Sequence, residues 1–321
     1  MTPPPDIAGA GALAPLSVEG ALGERAVATW AADVSRLARP RIAIMVLATV
    51  FTASWLTGGR PDDPSALAWL LVGTALVATS SSIANQILER TTDRLMRRTA
   101  SRPIATGRIA VPAAWGLTAV LGVAGVAIAA TAAGWAAAAA AAATWGLYVA
   151  VYTPLKRTTP LNTAVGAVAG ALPVAIGWLA ADGPARLAAG DARGGLAAAA
   201  LATVLYLWQF PHFMAIAWLY RTQYAAAGLR MLTVVDPSGL RAGGQSLAAA
   251  LAMVPASLVL AVPSGSIRLF LTAAVAGIVY VLASARFAIR RDEPSARLLL
   301  FTSLASLLGL LCAAVAFGRP V

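Results

Sequence analysis

The chain has 321 residues, 59% of them hydrophobic and only 12% charged. Soluble domains carry about 25% charged residues, so a soluble globular protein is excluded and an integral membrane protein is indicated. The net charge of +11 sits in short loops between apolar runs, which suits loops facing anionic lipid and argues against nucleic-acid binding. A lone cysteine, Cys312, leaves no internal disulfide and no Cys-rich metal centre.

In chain order, residues 1–35 open MTPPPDIAGA, with neither the basic start nor the apolar core of a secretory signal. They are expected to form a disordered or loosely ordered cytoplasmic tail, amphipathic near Trp30 to Leu37. The remainder, 36–321, reads as one membrane domain. Spans need about 20 apolar residues, and nine candidate runs lie near 42–57, 66–88, 112–130, 133–153, 161–181, 195–218, 246–263, 268–287 and 298–317. The expected fold is all-α and polytopic, with nine transmembrane helices and a cytoplasmic N-terminus. That orientation puts all but five of the 24 basic residues on the cytoplasmic side, the five being Arg60, Arg186, Arg193, Arg268 and Arg319, as the positive-inside rule requires.

Three polar clusters then fall on that same face. The first, Asn85 to Pro103, reads NQILERTTDRLMRRTASRP. Asn85, Glu89 and Asp93 are spaced i, i+4, i+8, which stacks their side chains along one helix ridge. Arg94, Arg97, Arg98 and Arg102 follow. Carboxylates backed by guanidiniums suit a phosphate-rich ligand carrying a divalent cation: Mg²⁺ takes one or two carboxylates plus substrate phosphate oxygens, and Arg grips phosphate with two donors at once. The plainer alternative is a helix end followed by ordinary topological arginines.

The second cluster, YTPLKRTTPLN from Tyr152 to Asn162, is a Pro-broken loop whose Lys156 and Arg157 reach an anion or merely anchor the topology. The third runs from Leu207 to Leu232 and gathers Trp208, Gln209, His212 and several aromatics around Pro211. A polar Gln and the chain's one His within an apolar span suggest a pocket; an aromatic belt with a His bonded to a neighbouring helix is the simpler reading. Span interiors are nearly free of carboxylates, which argues against a proton-coupled transporter.

Together the clusters resemble the UbiA superfamily of intramembrane prenyltransferases, and within it the protoheme IX farnesyltransferase (haem O synthase) branch. Asn85, Glu89 and Asp93 match the superfamily's N-x-x-x-D/E-x-x-x-D motif. MRRTASRPIATGRI (Met96 to Ile109), YTPLKRTTPLNTAVGAVAGALPVAIGW, WQFPHFMAIAW and YAAAGLRML resemble that branch in particular. The resemblance covers about residues 36–317.

It implies a UbiA-like bundle in the plasma (inner) membrane with its active-site loops cytoplasmic. The substrates would be farnesyl diphosphate and haem b, the product haem O. Asn85, Glu89 and Asp93 are then the catalytic, Mg²⁺-binding set, and Arg98, Arg102, Lys156 and Arg157 hold the diphosphate. Trp208, Gln209, His212 and Tyr152 face the haem or other acceptor, with His212 an iron ligand or a propionate partner. A downstream haem-modifying enzyme or terminal oxidase is the expected protein partner. The family usually carries an acidic pair before the Tyr of its D-Y-x-x-A-G stretch; here Thr222–Gln223 stands there. One Mg²⁺ is therefore expected and a second loses its carboxylates. Two other readings share the motifs: a prenyltransferase acting on a quinone precursor or chlorin, and a catalytically weakened haem- or isoprenoid-binding relative.

Overall fold

A computed structural model describes residues 30–58 and 64–318. Every regular element among them is helical. In chain order these are α1 (30–38), α2 (Pro40–Gly58), α3 (Pro64–Leu88), α4 (Arg90–Arg94), α5 (Val111–Gly146), a π-helical turn (Leu147–Tyr152), and α6 (Thr153–Leu155). They continue with α7 (Asn162–Ala171), α8 (Pro173–Ala180), α9 (Gly183–Ala188), α10 (Ala192–Leu219), α11 (Arg221–Ala226), α12 (Leu232–Val235), α13 (Leu240–Val259), α14 (Ile267–Arg290) and α15 (Glu293–Phe317). Residues 1–29, most of the predicted tail, lie outside the described residues, as do Arg60 and Arg319. α1 begins inside the stretch read as tail, and it buries Leu37.

Eight helical segments among the described residues are long and apolar enough to cross a membrane. The difference from nine runs has a local cause. Runs 112–130 and 133–153 fall in one segment, Val111–Leu155, which breaks at Gly134 (φ 80°, ψ 169°), a backbone region that glycine alone enters freely. The chain turns back there. Ser80 on α3 donates to the Thr118 carbonyl at 2.8 Å and accepts from Trp145 Nε1 at 3.0 Å, although a straight helix would hold residues 118 and 145 about 40 Å apart.

Lipid supplies no hydrophobic force between helices, so close packing of small residues holds them together. A Cβ on Gly73 of α3 would lie 2.7 Å from the Gly125 carbonyl, and one on Gly125 would lie 2.6 Å from that of Gly73. Gly177 of α8 abuts the backbone of α2 in the same way, and Gly194 of α10 abuts Thr57. α10 is the central post, touching α2, α7, α13 and α15. It stays helical through Pro211. Large apolar side chains such as Val123 (72% exposed), Trp135 (80%) and Phe301 (69%) point outward, as a lipid solvent permits and water does not.

The loops that carry the sequence clusters meet at one end of the bundle. The Arg230 amide donates to the Lys156 carbonyl, the Arg98 amide to Gln223 Oε1, and Lys156 Nζ to Glu89. α1 lies across the same end: Gln86 donates to the Arg36 and Leu37 carbonyls, and Asp33 accepts two bonds from Arg108.

Candidate active site

α3 ends at Leu88 and α4 starts at Arg90, yet the ridge is not interrupted. The Glu89 amide donates to the Asn85 carbonyl (2.9 Å) and the Asp93 amide to the Glu89 carbonyl (2.8 Å). Asn85 and Asp93 are fully buried and Glu89 is 8% exposed.

A neighbouring hydroxyl fixes how the Asn85 amide points. Asn85 Nδ2 lies 3.1 Å from Thr153 Oγ1, and that hydroxyl donates its one proton to the Tyr148 carbonyl at 2.8 Å, across the π-helical turn. It can therefore only accept, so Nδ2 faces it and Oδ1 is turned away. Among the described residues neither Asn85 Oδ1 nor Asp93 Oδ1, both buried, has a hydrogen-bond partner. A buried oxygen with no donor costs about 1–3 kcal/mol, and two such oxygens one turn apart from Glu89 on a shared ridge are ready-made cation ligands.

The remaining carboxylate oxygens are held by cations. Asp93 Oδ2 lies 2.6 Å from Arg102 Nη1, and Glu89 Oε1 lies 2.7 Å from Lys156 Nζ, with Arg102 at 3.8 Å from Oε2. Burial pushes the Glu89 carboxyl up, but the ammonium of Lys156, together with the charges of Arg39 and Arg102, holds it below the usual range. For Asp93 burial prevails over Arg102, and the group is pushed above its usual value. Burial works to lower Lys156, but the charge and hydrogen bond of Glu89, together with Tyr152 and Tyr148, leave it raised. Arg102 is lowered by burial and then by the charge of Arg39.

Arg39 is the residue that the sequence hides. It reads as a topological charge ahead of the first span, but it sits at the α1–α2 junction with φ 49°, and its Nη2 is buried with no partner among the described residues. Its charge reaches Glu89, Asp93 and Arg102. Left-handed backbone is uncommon outside Gly, Asn and Asp and marks a constrained position. Thr153 is the second hidden residue; nothing in its spacing announces that it orients Asn85.

Other expected residues fall in three places. Arg98 stands on the α11 side, with Nη2 3.3 Å from Tyr224 Oη and its guanidinium 5.0 Å from the Tyr220 ring centre. Arg157 points away from the carboxylates and caps the end of α3, donating to the Leu88 carbonyl and Thr91. Tyr152 lies under Lys156, whose Nζ is 4.4 Å from the ring centre. It packs on Gly166 of α7, where a Cβ would come within 2.6 Å of the ring; one turn on, Gly170 leaves room for the Gln209 amide, which donates to the Ala167 carbonyl. Trp208 and His212 lie on another face of α10, stacked at 4.6 Å and bonded to α15.

Two carboxylates plus an amide oxygen fit Mg²⁺, which leaves several positions to water and substrate oxygens. Among the described residues no group of three His, Cys, Asp or Glu lies close enough to hold a metal, which disfavours a fully protein-caged ion. On the α11 side no carboxylate replaces the missing pair: Gln223 binds the Arg98 amide, and Asp236 caps the start of α13 through Arg241.

These features define a polytopic membrane protein with a buried mixed-charge site at one end of its bundle. The chain belongs to the UbiA prenyltransferase family, whose profile matches residues 46–316. It is 44% identical to protoheme IX farnesyltransferase of Rhodopirellula baltica over 225 residues, covering 70% of this chain and 76% of that one. It is 35% identical to the enzyme of the same name in Solibacter usitatus over 283 residues, covering 84% and 93%. Among solved structures it matches a UbiA homologue from Archaeoglobus fulgidus bound to GPP and Mg²⁺ (TM-score 0.63, 17% identity, 88% of this chain and 99% of that one). It also matches the structure of a digeranylgeranylglyceryl phosphate synthase (TM-score 0.71, 14% identity, 89% and 97%). The last two likenesses establish the fold.

Proposed function

We propose that this protein transfers the farnesyl group of farnesyl diphosphate to a vinyl group of haem b, giving haem O and diphosphate. The observation that carries this reading is the pair of buried, unpartnered oxygens, Asn85 Oδ1 and Asp93 Oδ1, beside a cluster of Lys and Arg in a chain of this family.

Asn85, Glu89 and Asp93 would hold one Mg²⁺, which supplies Lewis-acid stabilisation of the departing diphosphate. The chain's own cations do the rest. Arg102 and Lys156 neutralise the carboxylates in the resting site, and each has donors to give to the diphosphate when it arrives. Arg39, whose buried Nη2 has no partner among the described residues, would bring a further guanidinium to the same anion, and Arg98 borders it from the α11 side. Fixed cations aimed at the leaving group stabilise charge where it develops. The allylic C–O bond breaks with its electron pair going to diphosphate, and the haem vinyl carbon bonds to the farnesyl C1. Water then adds to the resulting cation, releasing a proton and leaving the hydroxyl. The apolar bundle keeps water from the allylic carbon before that point. Tyr152 and Gln209, seated one turn apart on the glycines of α7, would face the acceptor.

We further propose nine membrane crossings, with the two legs of Val111–Leu155 counted separately, in a plasma membrane with the N-terminus and the site loops cytoplasmic. Residues 1–35 would serve as a tail to the membrane domain 36–321. A haem-modifying enzyme or terminal oxidase would receive the product. Expression in a host that lacks haem O, with pigment extraction and mass measurement, tests the reaction. A new pigment heavier by farnesyl plus hydroxyl supports it; unchanged haem b with the protein present in the membrane refutes it.

A further inference from the structure

The imidazole of His212 is held more tightly than packing requires. One face stacks on Trp208, with ring centres 4.6 Å apart and 22° between planes. Trp208 is fixed in turn: its Nε1 donates to the Ser303 carbonyl at 2.6 Å, and its own carbonyl accepts from Tyr280 Oη at 2.7 Å. His212 Nδ1 lies 2.8 Å from Ser303 Oγ. Ser303 is fully buried on α15, and its Oγ lies 2.6 Å from the Leu300 carbonyl.

That last distance decides the tautomer. A hydroxyl oxygen 2.6 Å from a carbonyl oxygen must point its only proton there, because two lone pairs at that separation repel. Ser303 Oγ therefore offers His212 an acceptor, and Nδ1 carries the ring proton. Nε2 is left as a bare lone pair. It has no hydrogen-bond partner among the described residues, and the His212 side chain is only partly buried.

A neutral imidazole with one N–H donated to the protein and the other nitrogen bare is the form that binds transition metals. It is the wrong form for a carboxylate, since a lone pair facing a propionate is repulsive. We infer that Ser303 is a positioning residue that fixes His212 in the Nδ1–H tautomer, so that Nε2 ligates the iron of the acceptor haem and does not pair with a propionate. This rests on the reaction proposed above.

The chain contains one histidine, so ¹⁵N-histidine labelling reports on this ring alone. The nitrogen spectrum of the purified protein should show a protonated Nδ1 and a bare Nε2. Adding ferric haem b should produce ¹⁵N hyperfine coupling in the electron paramagnetic resonance spectrum. Ser303→Ala should mix the tautomers and raise the KM for haem about 10- to 100-fold, the usual effect of losing a metal ligand's supporting hydrogen bond, with the KM for farnesyl diphosphate unchanged. An Nε2–H tautomer in the wild-type protein, or haem bound and turned over with no ¹⁵N coupling, overturns the inference. Should the variant fail to fold, the wild-type spectra decide alone. Absence of haem O formation would instead refute the proposed reaction, a result distinct from turnover without iron ligation.

Discussion

Replacing Lys156 by Met separates the resting charge balance from the chemistry. The Met side chain keeps most of the stem that lies over Tyr152 and removes the ammonium 2.7 Å from Glu89 Oε1. Glu89 then keeps Arg102, 3.8 Å from its other oxygen, and the charge of Arg39, in a place where its side chain is 11% exposed. Breaking a buried pair by deleting one partner costs about 3–5 kcal/mol. Some water reaches both groups and Arg102 can shift by about an ångström, so the low end, about 3 kcal/mol, is expected. Mg²⁺ should restore part of this, because a cation at Glu89 replaces the lost charge, and a ligand at 100 times its Kd stabilises by about 2.7 kcal/mol. Thermal unfolding in detergent, followed by tryptophan fluorescence with and without Mg²⁺, measures both effects. The variant should melt earlier and gain more from Mg²⁺ than the wild type does. Turnover should fall about 10²- to 10³-fold with the loss of one stabilising donor. Equal melting of the two proteins, or an equal gain from Mg²⁺, would refute the charge-balance account.

Asn85→Ala and Asp93→Ala should abolish haem O formation while the protein stays in the membrane. Arg230→Ala should retain most of it, since Arg230 joins the network only through its backbone amide and carbonyl; similar losses in all three would argue against a site centred on the ridge. Asp93 must be ionised to hold a cation, and burial lifts it above 3.8. Turnover should therefore rise with pH along an acid limb lying above that value, and saturating Mg²⁺, which favours the ionised form, should move the limb down. Stability takes the opposite sign: a carboxyl raised in the fold contributes fully below its unfolded-state value and loses that contribution as pH rises through its folded-state value. Gly166→Ala should cost about 1–3 kcal/mol of stability by overpacking, because its Cβ would meet the Tyr152 ring at 2.6 Å; an unchanged melting temperature would contradict that packing.

Much of this was readable because it rests on period and chemistry. A ridge at i, i+4, i+8 needs only helical geometry, and apolar runs of span length needed only counting. The turn at Gly134 left a weaker mark, for one glycine within an alanine-rich run does not show whether the chain bends, breaks or reverses. Arg39 and Thr153 were illegible for a different reason. Their roles come from long-range placement: a left-handed junction that brings a guanidinium within reach of Glu89 and Asp93, and a hydroxyl oriented by a carbonyl five residues earlier. Arg157 shows the converse, since a basic residue next to Lys156 in sequence turns outward to satisfy the end of α3. Ser303, 91 residues from His212, has no local signature at all.

The account depends most on a divalent cation held by Asn85, Glu89 and Asp93. Mn²⁺ binding to the purified protein with a non-ionisable farnesyl diphosphate analogue, read by electron paramagnetic resonance for stoichiometry and ³¹P coupling, tests this directly. One Mn²⁺ per chain, coupled to phosphorus and lost in Asp93→Asn, is the predicted result. Binding of undiminished affinity in Asp93→Asn, or an ion without ³¹P coupling, would contradict it.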